Sequence, residues 1–359
     1  MRTREILLSL ALLMVVVLTG CSRSEPGQPA VKPPPGGILL KGAGATFPSL
    51  LYEKWFAQYG KLHPDVLVTY DSVGSGAGVQ RFIGIGVEED QRVDFGASDT
   101  AMSDEQIRKV QGGVQLIPLT ASGIALAYNL PGLQSTLKLS REAYTGILLG
   151  KIKNWNDPVI RNCNPDQQLP KMTIAVVTRQ DSSGTTYAFT KHLDMISPEW
   201  HRKYGAANLI NWPGAAMRAK GNEGVATLIE QSVGSIGYVG LGFARKLGLK
   251  VAAMENKAGN YIVPSFESAM AAMAASELPE NLRIFLPDPE GSDSYPIVTL
   301  SWILLYKSYD NPRKVEALKG LFSWCLGEGQ IFSRDLGYVP LAPKMADKAT
   351  TALNTITAP

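Results

Sequence analysis

Between residues 38 and 341 the chain alternates short apolar runs, polar glycine-bearing loops and segments of helical period. Residues 38–40 predict a buried strand, followed by Lys41-Gly42-Ala43-Gly44-Ala45-Thr46-Phe47-Pro48. Pro48 suits the first position of a helix, where its missing N–H costs nothing. Leu51, Trp55 and Tyr59 then recur at fours beside Tyr52 and Phe56, which predicts one apolar helix face. Residues 66–70 read as the next strand, and the loop 71–78 opens a helix carrying Val79, Phe82 and Ile83 that stops at 84–86. Residues 93–99 give a third strand and loop, and Ser103 with Gln106 predicts a capping box on the helix after it.

The second half continues the pattern. An apolar stretch at 117–120 leads into an alternation over 124–129, residues 138–150 look helical, and 151–158 form a polar loop bearing Trp155. The run 174–177 enters the loop Thr178-Arg179-Gln180-Asp181-Ser182-Ser183-Gly184-Thr185-Thr186, which enters a helix with Phe189 and Leu193 four apart. Further elements are a helix over 222–231, an alternation over 292–305 and an amphipathic helix over 312–326, and 337–341 closes the folded part. Strand, loop and helix in repetition predict a largely parallel sheet covered by helices. Ligands of such sheets bind beyond the carboxyl ends of the strands, where the Gly, Ser and Thr residues collect.

Composition narrows the function. At 359 residues, 45% hydrophobic and 19% charged, the chain has an ordinary globular make-up with length for about two domains. A net charge of +3 without a Lys/Arg-rich block gives no reason to expect nucleic acid. Three histidines, at 63, 192 and 201, and three scattered cysteines lack the spacing of a zinc or haem site, so no metal or cofactor is expected.

The first twenty residues read as a targeting segment. Arg2 and Arg4 precede an apolar stretch over 6–18, too short for the roughly 20 residues a membrane span needs. The ending Leu18-Thr19-Gly20-Cys21 resembles a bacterial lipobox, which implies a signal peptide over 1–20, cleavage before Cys21 and lipid on its thiol. An ordinary secretory signal with an incidental cysteine is the alternative. Five prolines between 26 and 35 make 21–37 an extended tether. Cys163 and Cys325 are then the remaining thiols, able to pair in an oxidising compartment only if the fold brings them together.

Four loops, 44–47, 74–78, 96–99 and 178–186, are candidates to converge on one ligand. Each can instead be a tight turn with a cap, but loops that open helices offer orphan N–H groups and a partial positive charge. Gly184 permits close backbone approach, Ser183 and Thr185 supply hydroxyls, and Arg179 adds a planar cation with five donors, as a small oxyanion requires. No dinucleotide fingerprint, P-loop or nucleophile elbow is present. His192 is expected on a solvated helix face rather than as a base for Ser183. Asp99 and Asp181 are unexpected, because a carboxylate repels an anion. Asp181 can orient Arg179. Asp99 either caps a turn or accepts a proton carried by the anion, which would favour a protonated anion.

The stretches Gly42-Ala43-Gly44-Ala45-Thr46-Phe47-Pro48, Asp94-Phe95-Gly96-Ala97-Ser98-Asp99, Gly150-Lys151-Ile152-Lys153-Asn154-Trp155 and Asp181-Ser182-Ser183-Gly184-Thr185 resemble the substrate-binding protein of bacterial high-affinity phosphate ABC transporters. The resemblance runs from about residue 40 to 341. It implies a type II periplasmic-binding-protein fold, two α/β lobes joined by two crossover strands near 118–124 and 293–298. The first lobe is then 38–120 with 295–359 and the second 121–294. It implies phosphate ligands at Thr46, Phe47, Ser75, Arg179, Ser183, Gly184 and Thr185, a proton-sensing acceptor at Asp99, and Asp181 positioning the arginine. Two departures stand out: 84–92 is longer and more charged than the family pattern, and the second loop reads Gly-Ser-Gly-Ala-Gly rather than Gly-Ser-Ser-Gly.

The function implied is non-catalytic binding of inorganic phosphate outside the cytoplasmic membrane and delivery to permease subunits of an ABC importer. The chain would sit in the periplasm or cell envelope, held to the membrane through Cys21. A phosphatase-like hydrolase on the same lobes is the alternative. A third reading, a sensor or adhesin, predicts no anion binding.

Overall fold

The structure is a computed structural model that describes residues 32–274 and 276–359. The signal-peptide segment, Cys21 and most of the tether lie outside the described residues.

The first elements are β1 (Ile38–Gly44), α1 (Ser49–Leu62), β2 (Val66–Ser72), α2 (Ser75–Ile83), β3 (Phe95–Ser98), α3 (Asp104–Arg108) and β4 (Val114–Asn129). The middle holds β5 (Lys138–Leu139), α4 (Arg141–Leu148), α5 (Pro158–Cys163), β6 (Ala175–Arg179), α6 (Gly184–Ile196), α7 (Pro198–Lys203), β7 (Met217–Ala219) and α8 (Gly221–Gln231). The remainder is β8 (Ser235–Gly240), α9 (Leu241–Lys246), β9 (Lys250–Val251), β10 (Ala253–Glu255), β11 (Tyr261–Ile262), α10 (Phe266–Ala274), β12 (Val298–Tyr306), α11 (Pro312–Leu326) and α12 (Pro343–Asn354).

A curled sheet runs in the order β2-β1-β3-β12-β4-β8-β6-β7, with β9 added on β4, and β11-β10-β5 form a small second sheet. The two ends of the large sheet are parallel, as the loop pattern predicts: β1 with β2 and β3, and β6 with β7 and β8. Its middle is not. β12 runs antiparallel to both β3 and β4, and β4 antiparallel to β8. The chain leaves one lobe along β4 and returns along β12, so the two meet head to tail and need no covering helix between them.

β4 is the longest strand and serves both halves. Its first part, up to Gly123, pairs with β12, and Ile124–Asn129 pair with β8. Nearly every residue of β4 and β12 is buried. The alternation expected over 292–305 is corrected: the strand begins at Val298 and is buried without a break through Leu305, because strands covered on both faces are continuous apolar runs.

Several local readings hold. Ser103 and Gln106 form the reciprocal capping box, and α1 buries Leu51, Tyr52, Trp55, Phe56 and Tyr59. Others need correction. Pro48 is the cap before α1 rather than its first residue. Residues 138–150 are not one helix: Lys138 and Leu139 pair with Ala253 and Met254, and Ser140 caps α4 by accepting from the Ala143 N–H. The folded part does not close at 341, because α12 buries Met345, Ala349 and Leu353, spaced by four. Cys163 and Cys325 are both free thiols, on α5 and α11. Among the described residues no helix is long and apolar enough to cross a membrane.

Candidate functional site

Four helices begin where strands of the large sheet end, and their N-termini frame one buried cluster. After β1, Gly44 lets the chain approach β3 closely: a Cβ there would lie 2.0 Å from the Ala97 carbonyl oxygen, and the Ala45 N–H donates to that oxygen at 2.9 Å. Thr46 and Phe47 follow, both buried. Phe47 is held by the Tyr338 hydroxyl, which donates to its carbonyl at 2.6 Å, and by edge-on packing of the two rings.

After β2, Gly74 takes φ +94° and Ser75 begins α2. The Asp99 N–H donates to Ser75 Oγ at 3.2 Å, which ties this loop to the one after β3. After β6 come Arg179 and Asp181, then Ser183, which caps α6 by accepting from the Thr186 N–H at 3.1 Å. Across the cleft the Gly76 N–H donates to the Ser182 carbonyl at 3.0 Å.

Asp99 is the centre of the polar contacts. It is 1% exposed. Ser301 donates to Oδ1 at 2.9 Å, Thr185 to Oδ2 at 3.3 Å, and Ser75 lies 3.5 Å from Oδ2. Burial pushes its carboxyl up to about 7, against the hydrogen bond from Ser301, the charge of Arg179 and the hydroxyls of Thr185 and Ser75, which all pull it down. Asp99 therefore titrates near neutrality.

Arg179 is 3% exposed, and Asp181 holds it in a fork: Nε donates to Oδ1 at 2.8 Å and Nη2 to Oδ2. Burial acts to raise the Asp181 carboxyl, but the hydrogen bond and charge of Arg179 and the Gly221 N–H outweigh it and leave it lowered. The third guanidinium nitrogen, Nη1, is buried with no hydrogen-bond partner in the protein. A buried charged donor without an acceptor is costly, so this atom marks where an acceptor belongs.

Hydroxyls, helix N-termini and one free guanidinium donor beside a titratable carboxyl can hold a small oxyanion, and the carboxyl can meet a proton on it. His192 does not serve Ser183 as a base, because both of its ring nitrogens are engaged elsewhere. His192 is fully buried rather than solvated: one ring nitrogen meets the Tyr144 hydroxyl at 2.8 Å and the other the Pro287 carbonyl, and burial drops its pKa to about 3. The expectation of a solvated face took no account of Pro287, whose carbonyl meets the ring from another segment. Among the described residues no cluster of His, Cys, Asp and Glu could hold a metal ion.

The PBP superfamily domain matches residues 24–328. The phosphate-binding protein PstS of Pasteurella multocida is 38% identical over 312 residues, 86% of this chain and 88% of its own length. That of Methanocaldococcus jannaschii is 34% identical over 377 aligned positions, 98% and 95% of the two chains. The chain belongs to the PstS family of phosphate-binding proteins. A solved high-affinity periplasmic phosphate-binding protein, PfluDING, with phosphate bound, superposes with a TM-score of 0.72 over 90% of this chain and 100% of its own. At 21% identity it speaks for the fold.

For a member of this family, the cluster contains more than the sequence suggested. All nine positions inferred from the motifs lie on the four loops, and direct hydrogen bonds link Ser75, Asp99 and Thr185, and Arg179 with Asp181. Two further residues were missed. Ser301 was hidden inside an apolar strand, although a hydroxyl within Val298-Thr299-Leu300-Ser301-Trp302 is a signal. Asn222 was placed on a helix but given no role, although Gly221 and Asn222 are the first two residues of that helix, where backbone N–H groups lack intrahelical partners.

Proposed function

We propose that this chain binds one inorganic phosphate in the cleft between its two lobes and delivers it to the permease subunits of an ABC importer, without chemistry of its own. The observation that carries the reading is the orphaned Arg179 Nη1, buried in a cluster whose other members are hydroxyls, helix N-termini and Asp99. The PstS relatives are named for phosphate. Thr46, Phe47, Ser75, Arg179, Ser183, Gly184 and Thr185 would supply the donors, Asp181 would orient the arginine, and Asp99 would accept the anion's proton. The lobes would be 38–120 with 295–359, and 121–294, with closure as a hinge motion about the crossover strands.

Calorimetry with phosphate, sulfate and arsenate in turn tests this: phosphate should bind, and at neutral pH and above more tightly than sulfate. Absence of phosphate binding would overturn it. Turnover of a generic phosphomonoester that disappears in Ser183→Ala would instead establish a hydrolase, a reading that the engagement of His192 by Tyr144 and Pro287 does not favour.

The anchoring is part of the same proposal. Lipid on Cys21 and the tether over 21–37 would hold the folded body in the periplasm or cell envelope. Fractionation of cells expressing Cys21→Ser tests it: the variant should move from membrane to soluble fractions, and an unchanged distribution would exclude the lipid.

A further inference from the structure

Asn222 is fully buried at the start of α8, and its amide is saturated. Its Oδ1 accepts from the Gly240 N–H at 2.8 Å, which fixes the orientation of the amide, because an N–H can only be met by the oxygen. Nδ2 is therefore the donor on the other side. It reaches Thr46 Oγ1 at 2.9 Å and Thr185 Oγ1 at 3.1 Å, one proton for each. The backbone N–H of Asn222 also donates to Thr46 Oγ1, at 3.0 Å.

A hydroxyl has two lone pairs and one proton. Both lone pairs of Thr46 face donors of Asn222, so its proton has only a third direction to take. The Thr185 hydroxyl, receiving from Nδ2, sends its own proton to Asp99. Asn222 thus determines the direction of two hydroxyls on opposite sides of the cleft. Its side chain is not a helix cap, since α8 has Lys220 at its cap and no side-chain bond there.

We propose that Asn222 is a positioning residue for the anion: it makes the Thr46 hydroxyl an obligatory donor to the ligand and joins that donor to Thr185 across the closed cleft. The proposal rests on the phosphate reading of the site. It predicts that Asn222 acts through the Thr46 hydroxyl, and a double-mutant cycle detects this.

Asn222→Asp keeps size and the acceptor for Gly240 but replaces the two donors with an acceptor, so the Thr46 proton turns away from the ligand. Thr46→Val keeps shape and removes the hydroxyl. Phosphate titrations of the wild type, both single variants and the double variant should show Asn222→Asp weakening binding at least tenfold in the wild type and at least fivefold less in the Thr46→Val background. Repulsion between a new carboxylate and the anion acts in both backgrounds and cancels. Stopped-flow release should be faster in the Asp variant with the association rate little changed. Should that variant fail to fold, Asn222→Ser carries the same cycle with the same outcomes. Equal factors in the two backgrounds, with wild-type binding intact, would overturn the role of Asn222. No phosphate binding by the wild type would overturn the reading of the site instead.

Discussion

Ser301 donates its hydroxyl to Oδ1 of Asp99 at 2.9 Å, from the strand that returns the chain between the lobes. The contact joins the buried carboxyl to a crossover strand rather than to a loop. Asp99 is thus held from below by Ser301, while Oδ2 faces Ser75 and Thr185. Since burial brings this carboxyl to about 7, its protonation state changes around neutral pH.

Selectivity should follow that titration. When ionised, Asp99 accepts a proton from phosphate and repels sulfate, which has none to offer. When protonated, it can donate to either. The ratio of phosphate to sulfate affinity should therefore rise as pH increases through about 7. In Asp99→Asn the ratio should be smaller and flat with pH, with sulfate binding gaining more than phosphate binding loses. Competition calorimetry between pH 5 and pH 8 measures it, and a wild-type ratio independent of pH would show that Asp99 does not face the anion's proton.

Stability of the ligand-free protein should run the opposite way. The Asp99 carboxyl is raised from 3.8 in the unfolded chain to about 7 in the fold, so the folded state binds the extra proton between those values. Its contribution is fully present below the unfolded value and is lost as pH rises through about 7. Each pKa unit is worth about 1.4 kcal/mol, so Asp99→Asn should gain stability over the wild type by on the order of a few kcal/mol between pH 4 and pH 8. Thermal melts of both proteins without phosphate test this. A stability difference that does not change with pH would rule it out.

The fold and site were legible in the sequence to different depths. Parallel βα units announce themselves locally, because a strand, a Gly-Ser loop and a helix face such as Leu51, Trp55 and Tyr59 are neighbours along the chain. The antiparallel centre did not, because its pairing of Trp302 with Ser98 and Pro118 joins residues far apart in sequence. The same distance hid the β5–β10 pairing that shortens α4. The loop residues stood out because helix starts concentrate donors. Asn222, Ser301 and the burial of His192 were not, since each depends on what packs against it from another element. The α12 spacing at Met345, Ala349 and Leu353 was readable but lay beyond the last strand signal.

Arg179 offers a sharper test of the donors. Two of its nitrogens serve Asp181 and Nη1 serves none, so truncation removes a charge-assisted bond from the ligand and leaves Asp181 without its partner. Arg179→Ala should lower phosphate affinity at least tenfold, on the order of 1.4 kcal/mol or more. Arg179→Lys should stay at least tenfold weak as well, because one ammonium cannot keep the fork to Asp181 and also reach the ligand. Full affinity in either variant by calorimetry would place the anion elsewhere.

Gly184 bears on closure. A Cβ at this position would lie 2.6 Å from Ser75 Oγ and 2.8 Å from Asp99 Cβ, closer than real contacts allow, and both neighbours belong to loops on the other side of the cleft. The first residue of α6 can therefore approach β3 only as glycine. Gly184→Ala leaves α6 free to form, since alanine is the better helix former, but keeps its N-terminus from seating against Asp99. The expected result is at least a tenfold loss of phosphate affinity with the melting temperature of the ligand-free protein changed little. A ligand that binds only the folded state raises stability by RT ln(1 + [L]/Kd), so the rise in melting temperature at a given phosphate concentration should shrink in the variant. Retention of the full wild-type rise would mean that the cleft closes in a different register from the one in which Gly184 meets Ser75.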